Sequence, residues 1–373
     1  MSNITYLTTN GIRSGVGASQ VWEYVRRLPQ HGDQVELLTF EFCRTPDLVV
    51  PRGVTWQSAD FGRPGAAGAA WRFGRLVATA SRSRQRILHA RADLPAMAAL
   101  AARHPSWVWD MRSFWREQRI ALGAMSQGGV LDKAFQQVER LSAHQASAII
   151  CLANEAREVL RKRYGDEVAQ KVRVIPTAVD TSRFVPDTAL RKTPRVLISG
   201  SFNGFYDGSL TLRFLDKLAE RTAISTAWIG ATSRSPWFFA LKEHVDDLIP
   251  PVPFLEMPQI VGACDVGLVL CRLDAGNSLA GAMPTKAAEF LSAGVPIVVT
   301  RGTGDLEDLV TRYQCGVVVR DDSDSAIATA ADELLSLWSQ PETKERARVC
   351  ALEIFDLDQA VEKLSAIYAD LAE

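Results

Sequence analysis

The feature that most constrains the fold is an alternation of short apolar strands with helices, which runs along most of the chain. The first forty residues read as a strand over 4–8, a glycine-rich turn over 10–17, a helix over 18–28 and a strand over 34–40. This order is a βαβ unit, in which the two strands are parallel and the helix covers one face of the sheet.

The alternation continues and then restarts once. Residues 180–194 are rich in turn formers and contain two prolines, so they are the predicted linker. A restart after such a segment predicts two doubly wound α/β lobes rather than one large sheet. The remaining predicted strands, in chain order, are 86–90, 107–110, 148–152, 173–175, 195–200, 224–230, 252–254, 265–270, 296–300 and 316–319, and the tail is helical over 323–338, 342–352 and 357–371.

Composition excludes several other classes of protein. The 373 residues carry 42 Lys and Arg against 43 Asp and Glu, which excludes a polybasic nucleic-acid binder. The six cysteines include no pair at the spacing of a zinc or redox motif, which indicates inert thiols in a reducing compartment. The first residues lack a long apolar run behind a basic start, and no apolar window approaches the ~20 residues that span a bilayer, so we expect a cytoplasmic protein.

The balanced total hides an asymmetry of charge. Residues 1–190 hold 25 Lys and Arg against 17 Asp and Glu, and 72–119 holds ten arginines against three acids. This stretch predicts weak, salt-sensitive contact with anionic membranes, because cations and interleaved aromatic rings favour the headgroup region. The alternative is that the arginines pair internally and line a phosphate-bearing acceptor pocket. The aromatic residues concerned are Trp71, Phe73, Trp107, Trp109, Phe114 and Trp115.

Polar residues and glycines follow several predicted strands directly, at the edge where ligands bind to open parallel sheets. Gly15 and Gly17 follow the first strand and leave backbone amides open to an anion, although a plain tight turn also explains them. Arg91, Asp110 and Arg112 stand at the ends of two further strands. They predict either an acceptor-binding carboxylate or base held by arginines, or a structural ion pair at the sheet edge.

The strongest single pattern lies at 284–299. Pro284 suits the first turn of a helix, and Gly294 suits its end. Lys286 and Glu289 are three residues apart and therefore share one helix face. The helix N-terminus faces the carboxyl edge of the sheet, where the lysine favours a phosphate and the glutamate can bind sugar hydroxyls. A surface Lys–Glu pair on an ordinary helix is the alternative.

Several of these segments, in this order, resemble the GT-B glycosyltransferases of family 4. The segment 174–184 is similar to the one that precedes the second domain in that family. The pattern Pro284-Thr-Lys…Glu289 with Gly302-Thr-Gly-Asp305 is similar to a subset that builds surface polysaccharides. The other matching pieces are 91–95, 110–112 and 200–206.

The resemblance implies an α/β GT-B fold, with two Rossmann-like lobes and a cleft between them. It places an acceptor lobe at 1–185, a nucleotide-sugar lobe at 186–355 and a C-terminal helix at 356–373 that crosses back to the first lobe. It also implies a retaining glycosyltransferase that uses no metal ion and no cofactor. The partners are then a nucleotide-sugar co-substrate and a saccharide or lipid-linked acceptor, with no nucleic acid, at the inner face of the cell membrane.

Residue roles follow from the resemblance together with the strand ends. The candidate catalytic residues are Asp110 and Glu289. The candidate acceptor-binding residues are Arg91, Asp110 and Arg112. The candidate donor-binding residues are Gly15, Gly17, Gly200, Ser201, Thr285, Lys286, Glu289, Gly304 and Asp305.

The sequence departs from the family pattern at two places. Gly281 stands where many members carry the first of two glutamates separated by seven residues. The usual Arg and Lys after the first strand of the second lobe are missing, and Asn203 and Asp207 occupy that stretch. We therefore expect Lys286 to hold the donor diphosphate.

Three other functions fit parts of the sequence. A GT-B-fold sugar-nucleotide epimerase would need its own acid and base groups, and of the five histidines only His89, a predicted packed core residue, lies near the matched motifs. A dinucleotide oxidoreductase fits the βαβ opening, and Glu41 follows the second strand, but the glycine fingerprint is missing. A non-catalytic transferase-like scaffold would explain the missing first glutamate.

Overall fold

The computed structural model describes residues 1–13, 15–42, 48–62, 65–187, 191–202, 204–233 and 235–373. Ser14 of the glycine-rich turn, Cys43, residues 188–190 of the predicted linker and Asn203 lie outside the described residues. The chain forms two compact units, of which the first comprises Met1–Pro176 with Leu357–Glu373 and the second comprises Thr177–Asp356. The first unit therefore ends at Pro176, ahead of the predicted linker.

The first unit is built on a seven-stranded, fully parallel sheet in the order β3-β2-β1-β4-β5-β6-β7. Its strands are β1 (Asn3–Leu7), β2 (Gln34–Glu41), β3 (Val54–Asp60), β4 (Ile87–Arg91), β5 (Trp107–Asp110), β6 (Ala148–Cys151) and β7 (Val172–Val174). Its first eight helices are α1 (Gly15–Gly17), α2 (Glu23–Val25), α3 (Ala66–Arg82), α4 (Asp93–Ala101), α5 (Trp115–Ala121), α6 (Val130–Gln145), α7 (Asn154–Tyr164) and α8 (Asp166–Lys171).

The second unit is built on a six-stranded, fully parallel sheet in the order β10-β9-β8-β11-β12-β13. Its strands are β8 (Arg195–Ser199), β9 (Ser225–Ile229), β10 (Asp247–Ile249), β11 (Val266–Val269), β12 (Ile297–Thr300) and β13 (Gly316–Val319). Its helices are α9 (Gly208–Ala219), α10 (Phe238–Leu241), α11 (Met257–Gly262), α12 (Asn277–Ala280), α13 (Thr285–Ser292), α14 (Leu306–Tyr313), α15 (Asp324–Trp338) and α16 (Glu342–Ile354).

The last helix, α17 (Leu357–Ala372), belongs to the first compact unit. Short 3-10 turns occur at Leu28–His31, Lys242–His244, Phe254–Glu256 and Leu273–Ala275, and Ala18–Trp22 is a π-helical turn between α1 and α2. Both sheets follow the 3-2-1-4-5-6 strand order of the doubly wound fold, and the first adds β7. The predicted α/β class with two Rossmann-like lobes is confirmed.

The predicted strand at 252–254 is wrong. The strand in this region is β10, Asp247–Ile249, which pairs in parallel with β9. Val252 stands between Pro251 and Pro253, and proline has no N–H to donate to a sheet. The apolar appearance of this short stretch therefore reflects a proline-rich loop.

Each unit has its own apolar core, packed on the faces of its sheet. In the first unit this core includes the buried Trp107, Trp109 and Phe114. In the second unit it includes the buried Phe214 and Trp228. Within the described ranges, no helix is both long and apolar enough to cross a membrane.

Candidate active site

Three strand ends of the second unit lie side by side. β8 pairs with β11 and β11 pairs with β12, so the carboxyl ends of all three strands meet at the same edge of the sheet. Helix α13 comes after β11 in the chain and leads back into β12, so Thr285, its first residue, stands at this edge. The N-terminus of a helix attracts anions because its first N–H groups have no partner within the helix.

Lys286 is held in the first turn of α13 by two contacts. Its Nζ donates a hydrogen bond to the backbone carbonyl of Ser199, the last residue of β8. The same Nζ lies 3.5 Å from the centroid of the Tyr206 ring, which is a cation–π contact. Burial lowers the pKa of Lys286 to about 8, and the nearby Cys271 and Glu289 oppose that shift. The surroundings therefore solvate this cation incompletely.

Glu289 lies one turn further along the same face of α13 and is 8% exposed. Within the described part of the chain, no side chain or backbone group donates a hydrogen bond to its carboxylate. Burial raises the pKa of Glu289 to about 7, and the charge of Lys286 only partly offsets this. Buried carboxylates are normally hydrogen-bonded, so the Glu289 carboxylate has unused capacity to accept hydrogen bonds.

The loop after β12 closes against the loop after β11. The Thr300 hydroxyl receives the backbone N–H of Cys271, and the Gly304 N–H donates to the Leu279 carbonyl at 2.8 Å. Gly304 has a φ of +49°, and a Cβ there would lie 2.1 Å from the carbonyl oxygen of Ala282. Only glycine fits this position.

The other predicted donor residues of the second unit occupy neighbouring loop positions. Gly200 directly follows β8 with a φ of +84°, Ser201 is exposed, and Asp305 directly precedes α14. The structure thus brings Gly200 and Lys286 together at the end of β8. Sequence reasoning named Tyr206 as part of the matched pattern, but it did not predict the contact with Lys286.

Gly15 and Gly17 lie in the first compact unit, in and beside the turn after β1. A Cβ on Gly17 would lie 1.6 Å from the carbonyl oxygen of Gly11, so the backbone there approaches too closely for any other residue. The turn is also fixed by Glu41, whose carboxylate accepts the Ile12 N–H at 2.9 Å. Binding of a donor phosphate by Gly15 and Gly17 stays a prediction.

Arg91, Asp110 and Arg112 form one cluster in the first unit. β4 and β5 pair so that Arg91 lies beside Asp110. Arg91 Nη1 donates to Asp110 Oδ2 at 2.9 Å, and Arg112 Nη1 donates to Oδ1 at 3.2 Å. The side chains of Arg91 and Asp110 are each 4% exposed, whereas that of Arg112 is 18% exposed. Arg112 is therefore the member of the cluster that faces outward.

The charge state of Asp110 follows from its neighbours. Burial raises the pKa of this carboxyl, but Arg112 and Arg91 outweigh burial and hold the pKa well below its ordinary value. A carboxylate with such a low pKa is a weak base.

Two further residues join this cluster, and sequence reasoning missed their contacts. His89 Nε2 lies 3.3 Å from Asp110 Oδ2, and the Tyr368 hydroxyl lies 2.8 Å from His89 Nδ1. His89 is buried, as the sequence predicts, and the Tyr6 ring stacks on it with centroids 4.0 Å apart. Tyr368 comes from α17, so no local pattern could have connected it with His89.

Among the described residues, no three His, Cys, Asp or Glu side chains are arranged to hold a metal ion. Each compact unit therefore holds one candidate cluster of its own. The cluster of the second unit can bind an anion and hydroxyl groups, and the cluster of the first presents a cation held by a buried carboxylate.

Comparisons with known proteins agree with this arrangement of two doubly wound units. The family profile described as Glycosyltransferase Family 4 matches residues 17–183, and the one described as Glycosyl transferases group 1 matches residues 193–337. No curated protein sequence matches the chain.

Solved structures match over nearly the whole chain. A sucrose-phosphate synthase from Thermosynechococcus elongatus has a TM-score of 0.76 at 14% identity, covering 100% of this chain and 99% of that one. HepE from Anabaena, in complex with UDP-glucose, has a TM-score of 0.67 at 14% identity over 99% and 100% of the two chains. WaaG, a glycosyltransferase involved in lipopolysaccharide biosynthesis, has a TM-score of 0.68 at 14% identity over 98% and 99%.

The fold and the two profile matches define the class of this protein, which is a GT-B glycosyltransferase. Within that class the chain is a family 4-like member, because the Glycosyltransferase Family 4 profile matches the first unit and the group 1 profile matches the second.

Proposed function

We propose that this glycosyltransferase moves a sugar from a nucleotide-sugar to an acceptor hydroxyl with retention of anomeric configuration, in the assembly of surface polysaccharide or glycolipid. The observation that carries the proposal is the pair Lys286 and Glu289, an incompletely solvated cation and a carboxylate without a donor on one face of α13. HepE binds UDP-glucose and WaaG acts in lipopolysaccharide biosynthesis, which supports a nucleotide-sugar donor and a glycan acceptor.

The proposed donor site lies at the strand edge of the second unit. The diphosphate binds to the N-terminus of α13 and to Lys286, which exchanges its bond to the Ser199 carbonyl for a charged partner. Glu289 accepts hydroxyl groups of the ribose or of the transferred sugar. Backbone N–H groups near Gly200 and Gly304, with the side chains of Ser201, Thr285 and Asp305, complete the proposed site.

The proposed chemistry needs neither a metal ion nor a cofactor. As the bond to the sugar breaks, negative charge grows on the leaving diphosphate, and the helix N-terminus and Lys286 stabilise it. In a retaining transfer of this kind the leaving phosphate oxygen itself accepts the proton of the acceptor hydroxyl. The low pKa of Asp110 supports a structural role for this residue rather than that of a base. We therefore assign acceptor contact to Arg112, with Arg91 and Asp110 holding it.

A screen of sugar nucleotides tests the proposal. Thermal unfolding is measured with UDP-, GDP-, dTDP- and CMP-sugars, each with EDTA and with Mg²⁺, because a ligand of the folded state raises its stability. Nucleotide release from the best donor is then measured with and without a lipid-linked acceptor, and NMR gives the anomeric configuration of the product. We expect one donor class to bind in EDTA and to be consumed only with an acceptor.

The same screen separates the alternatives. An epimerase converts the sugar nucleotide into its epimer without an acceptor, and a scaffold changes neither compound. A product with inverted configuration, or transfer that stops in EDTA, would overturn the retaining, metal-independent mechanism.

We also propose weak contact with anionic membranes at the inner face of the cell membrane, through one face of α3. Trp71, Arg75 and Arg82 lie on this face at spacings of four and seven residues, all three are exposed, and the helix contains no acidic residue. The surface is smaller than the sequence predicts, because Trp107, Trp109 and Phe114 are buried.

Most of the other arginines between 72 and 119 make internal contacts. Arg72 donates to the Phe61 carbonyl, Arg86 to the Ile4 carbonyl and Arg116 to Asp132. The proposed contact therefore depends on few charges, each worth about 1 kcal/mol near an anionic surface before screening.

Co-sedimentation with vesicles containing anionic lipid tests the membrane contact at low and high salt. We expect binding at low salt, and loss of binding when Arg75→Gln is combined with Arg82→Gln. The matched control combines Arg52→Gln with Arg320→Gln, two exposed arginines outside α3, and should bind normally. Equal binding of both double variants, or no binding at low salt, would contradict the proposal.

A further inference from the structure

We propose that His89 and Tyr368 are positioning residues, through which the C-terminal helix holds Asp110 and, by way of Asp110, the acceptor-facing Arg112. The role of Arg112 in this inference rests on the proposed function. The chain of hydrogen bonds itself follows from contacts within the first compact unit.

The direction of each hydrogen bond in this chain is fixed by Asp110. Its carboxylate is ionised between two arginines, so it only accepts, and the proton between it and His89 must be carried by Nε2. Burial lowers the pKa of His89, so the imidazole is neutral and Nδ1 has only a lone pair. The Tyr368 hydroxyl, 2.8 Å from Nδ1, is therefore the donor.

Three members of this series of hydrogen bonds are shielded from solvent. His89, Asp110 and Tyr368 are each at most 2% exposed. The Tyr6 ring lies nearly parallel to the imidazole, with an interplanar angle of 13°, and so holds the plane of the His89 ring. With the plane of the ring held in this way, the Tyr368 hydroxyl fixes the position of the imidazole within that plane.

Helix α17 packs with one face against the rest of the first unit, and this packing brings Tyr368 to His89. Arg27 donates to Asp358 at 3.0 Å, and the Ser365 hydroxyl donates to Asp33 at 2.7 Å. These contacts and Tyr368 lie on the side of α17 that packs on the first unit. Of these contacts, the one made by Tyr368 reaches the Asp110 cluster.

The two oxygens of Asp110 have separate tasks. Oδ2 accepts from both Arg91 and His89, whereas Oδ1 accepts from Arg112. Without the Tyr368 hydroxyl, Nδ1 of His89 loses its donor, and nothing holds the imidazole on the side away from Asp110. Nε2–H still donates to Oδ2, but the ring can shift, so Asp110 is held less firmly and its bond to Arg112 is weakened.

Two variants test this sequence of effects. Tyr368→Phe removes only the hydroxyl, and His89→Gln replaces the imidazole that Tyr368 holds with an amide whose N–H can still donate to Asp110. The matched control is Tyr164→Phe, which removes a hydroxyl bonded to Glu139 at 2.7 Å, elsewhere in the same unit. Melting temperatures of all variants report the loss of stability that any missing hydrogen bond produces.

Two measurements report on this series of hydrogen bonds and need no acceptor. The ¹⁵N shifts of His89 distinguish its tautomers, and peptide mapping after phenylglyoxal treatment gives the labelling rate of Arg112. We expect the Nε2–H tautomer in the parent protein and in Tyr368→Phe, because Asp110 fixes it, with a changed Nδ1 shift in the variant because Nδ1 has lost its donor. We expect labelling of Arg112 to rise about ten-fold in Tyr368→Phe, which corresponds to one lost hydrogen bond. It should be unchanged in Tyr164→Phe.

A double variant distinguishes a positioning role of Tyr368 from a role in packing alone. In the His89→Gln background, Tyr368→Phe should change the labelling of Arg112 no further, because the imidazole that the Tyr368 hydroxyl holds is no longer there. Once a donor and an acceptor are known, Tyr368→Phe should raise the acceptor KM and leave the donor affinity unchanged. Equal Arg112 labelling in Tyr368→Phe and Tyr164→Phe would overturn the inference. If no transfer is found, the proposed function fails, and the spectra and labelling still decide this inference.

Discussion

Lys286 and Glu289 share one face of α13, and burial moves their pKa values to about 8 and about 7. Without a ligand each group is therefore close to losing its charge at neutral pH. A nucleoside diphosphate beside the lysine and hydroxyl donors at the glutamate would stabilise both charged forms. In the proposed donor site, donor binding is therefore linked to proton binding, and the two pKa shifts give two predictions.

Donor affinity should fall as the pH rises above about 8. The free protein loses the Lys286 proton near that pH, whereas the bound diphosphate holds it, so binding above the free pKa requires proton uptake. The affinity should then fall up to about ten-fold per pH unit. Isothermal titration calorimetry in buffers of different ionisation enthalpy measures this uptake at pH 8. The same affinity from pH 7 to pH 9 would exclude Lys286 from the diphosphate site.

Glu289→Gln should be more stable than the parent, by a margin that grows with pH. The folded carboxyl keeps its proton up to about pH 7, whereas the unfolded one releases it near 4.5. Between these values the unfolded state binds fewer protons, so the parent loses stability as the pH rises, by up to about 3 kcal/mol in total.

Glutamine does not titrate, so the difference in free energy of unfolding should be larger at pH 7.5 than at pH 5. Urea unfolding at both values measures it, with Glu220→Gln as an exposed control in the same unit. A margin that does not change between the two pH values would show that Glu289 is hydrogen-bonded in solution.

Asp110→Asn should destabilise the first unit and leave donor binding intact. The substitution leaves Arg91 and Arg112 without their counter-ion, and breaking a buried pair costs about 3–5 kcal/mol. Because the folded pKa of Asp110 lies below its unfolded value, this contribution is present above about pH 4 and is lost on further acidification.

Thermal unfolding at pH 7 and donor titration of the same variant check both parts of this prediction. We also expect slower transfer, since Arg112 loses its orientation. An unchanged melting temperature together with lost transfer would make Asp110 a catalytic group rather than part of a structural ion cluster.

Ala92→Gly should stabilise the protein. Ala92 stands between β4 and α4 with φ 70° and ψ −178°, a region that only glycine adopts without strain. Relief of this strain, less the greater freedom of glycine in the unfolded chain, should raise the free energy of unfolding by about 1 kcal/mol. Ala78→Gly, in the exposed face of α3, should instead lower it by a similar amount. A lower free energy of unfolding in both variants would contradict the inferred backbone strain at Ala92.

The sequence predicted the parts of this fold that local patterns encode. Buried parallel strands such as β8 and β12 are continuous apolar runs, and α13 carries its own start and stop signals. β3 was missed because Val54–Asp60 is an edge strand with several polar, exposed residues. The alanine-rich α3 was missed although Phe73, Leu76, Val77 and Ala80 follow helical spacing, because its internal glycines Gly68 and Gly74 are poor helix formers.

The contacts in the candidate site also fall into two groups, those that local patterns predict and those that they do not. The pairing of Arg91 with Asp110 follows from neighbouring strand ends, and the shared face of Lys286 and Glu289 follows from their spacing. The contact of Tyr368 with His89 joins residues 279 positions apart, and that of Tyr206 with Lys286 joins a loop to a helix. Such contacts depend on how α17 and the loop after β8 pack, and no local pattern encodes that.

The most direct test of the account is donor affinity in Lys286→Ala, measured by calorimetry at pH 7 with the sugar nucleotide that the screen selects. Loss of a charge-assisted contact should weaken binding about ten- to a hundred-fold. Lys217→Ala, which removes a partly exposed lysine of the same unit, should bind like the parent. If Lys286→Ala folds normally and binds the donor as tightly as Lys217→Ala does, the donor site does not lie at the start of α13.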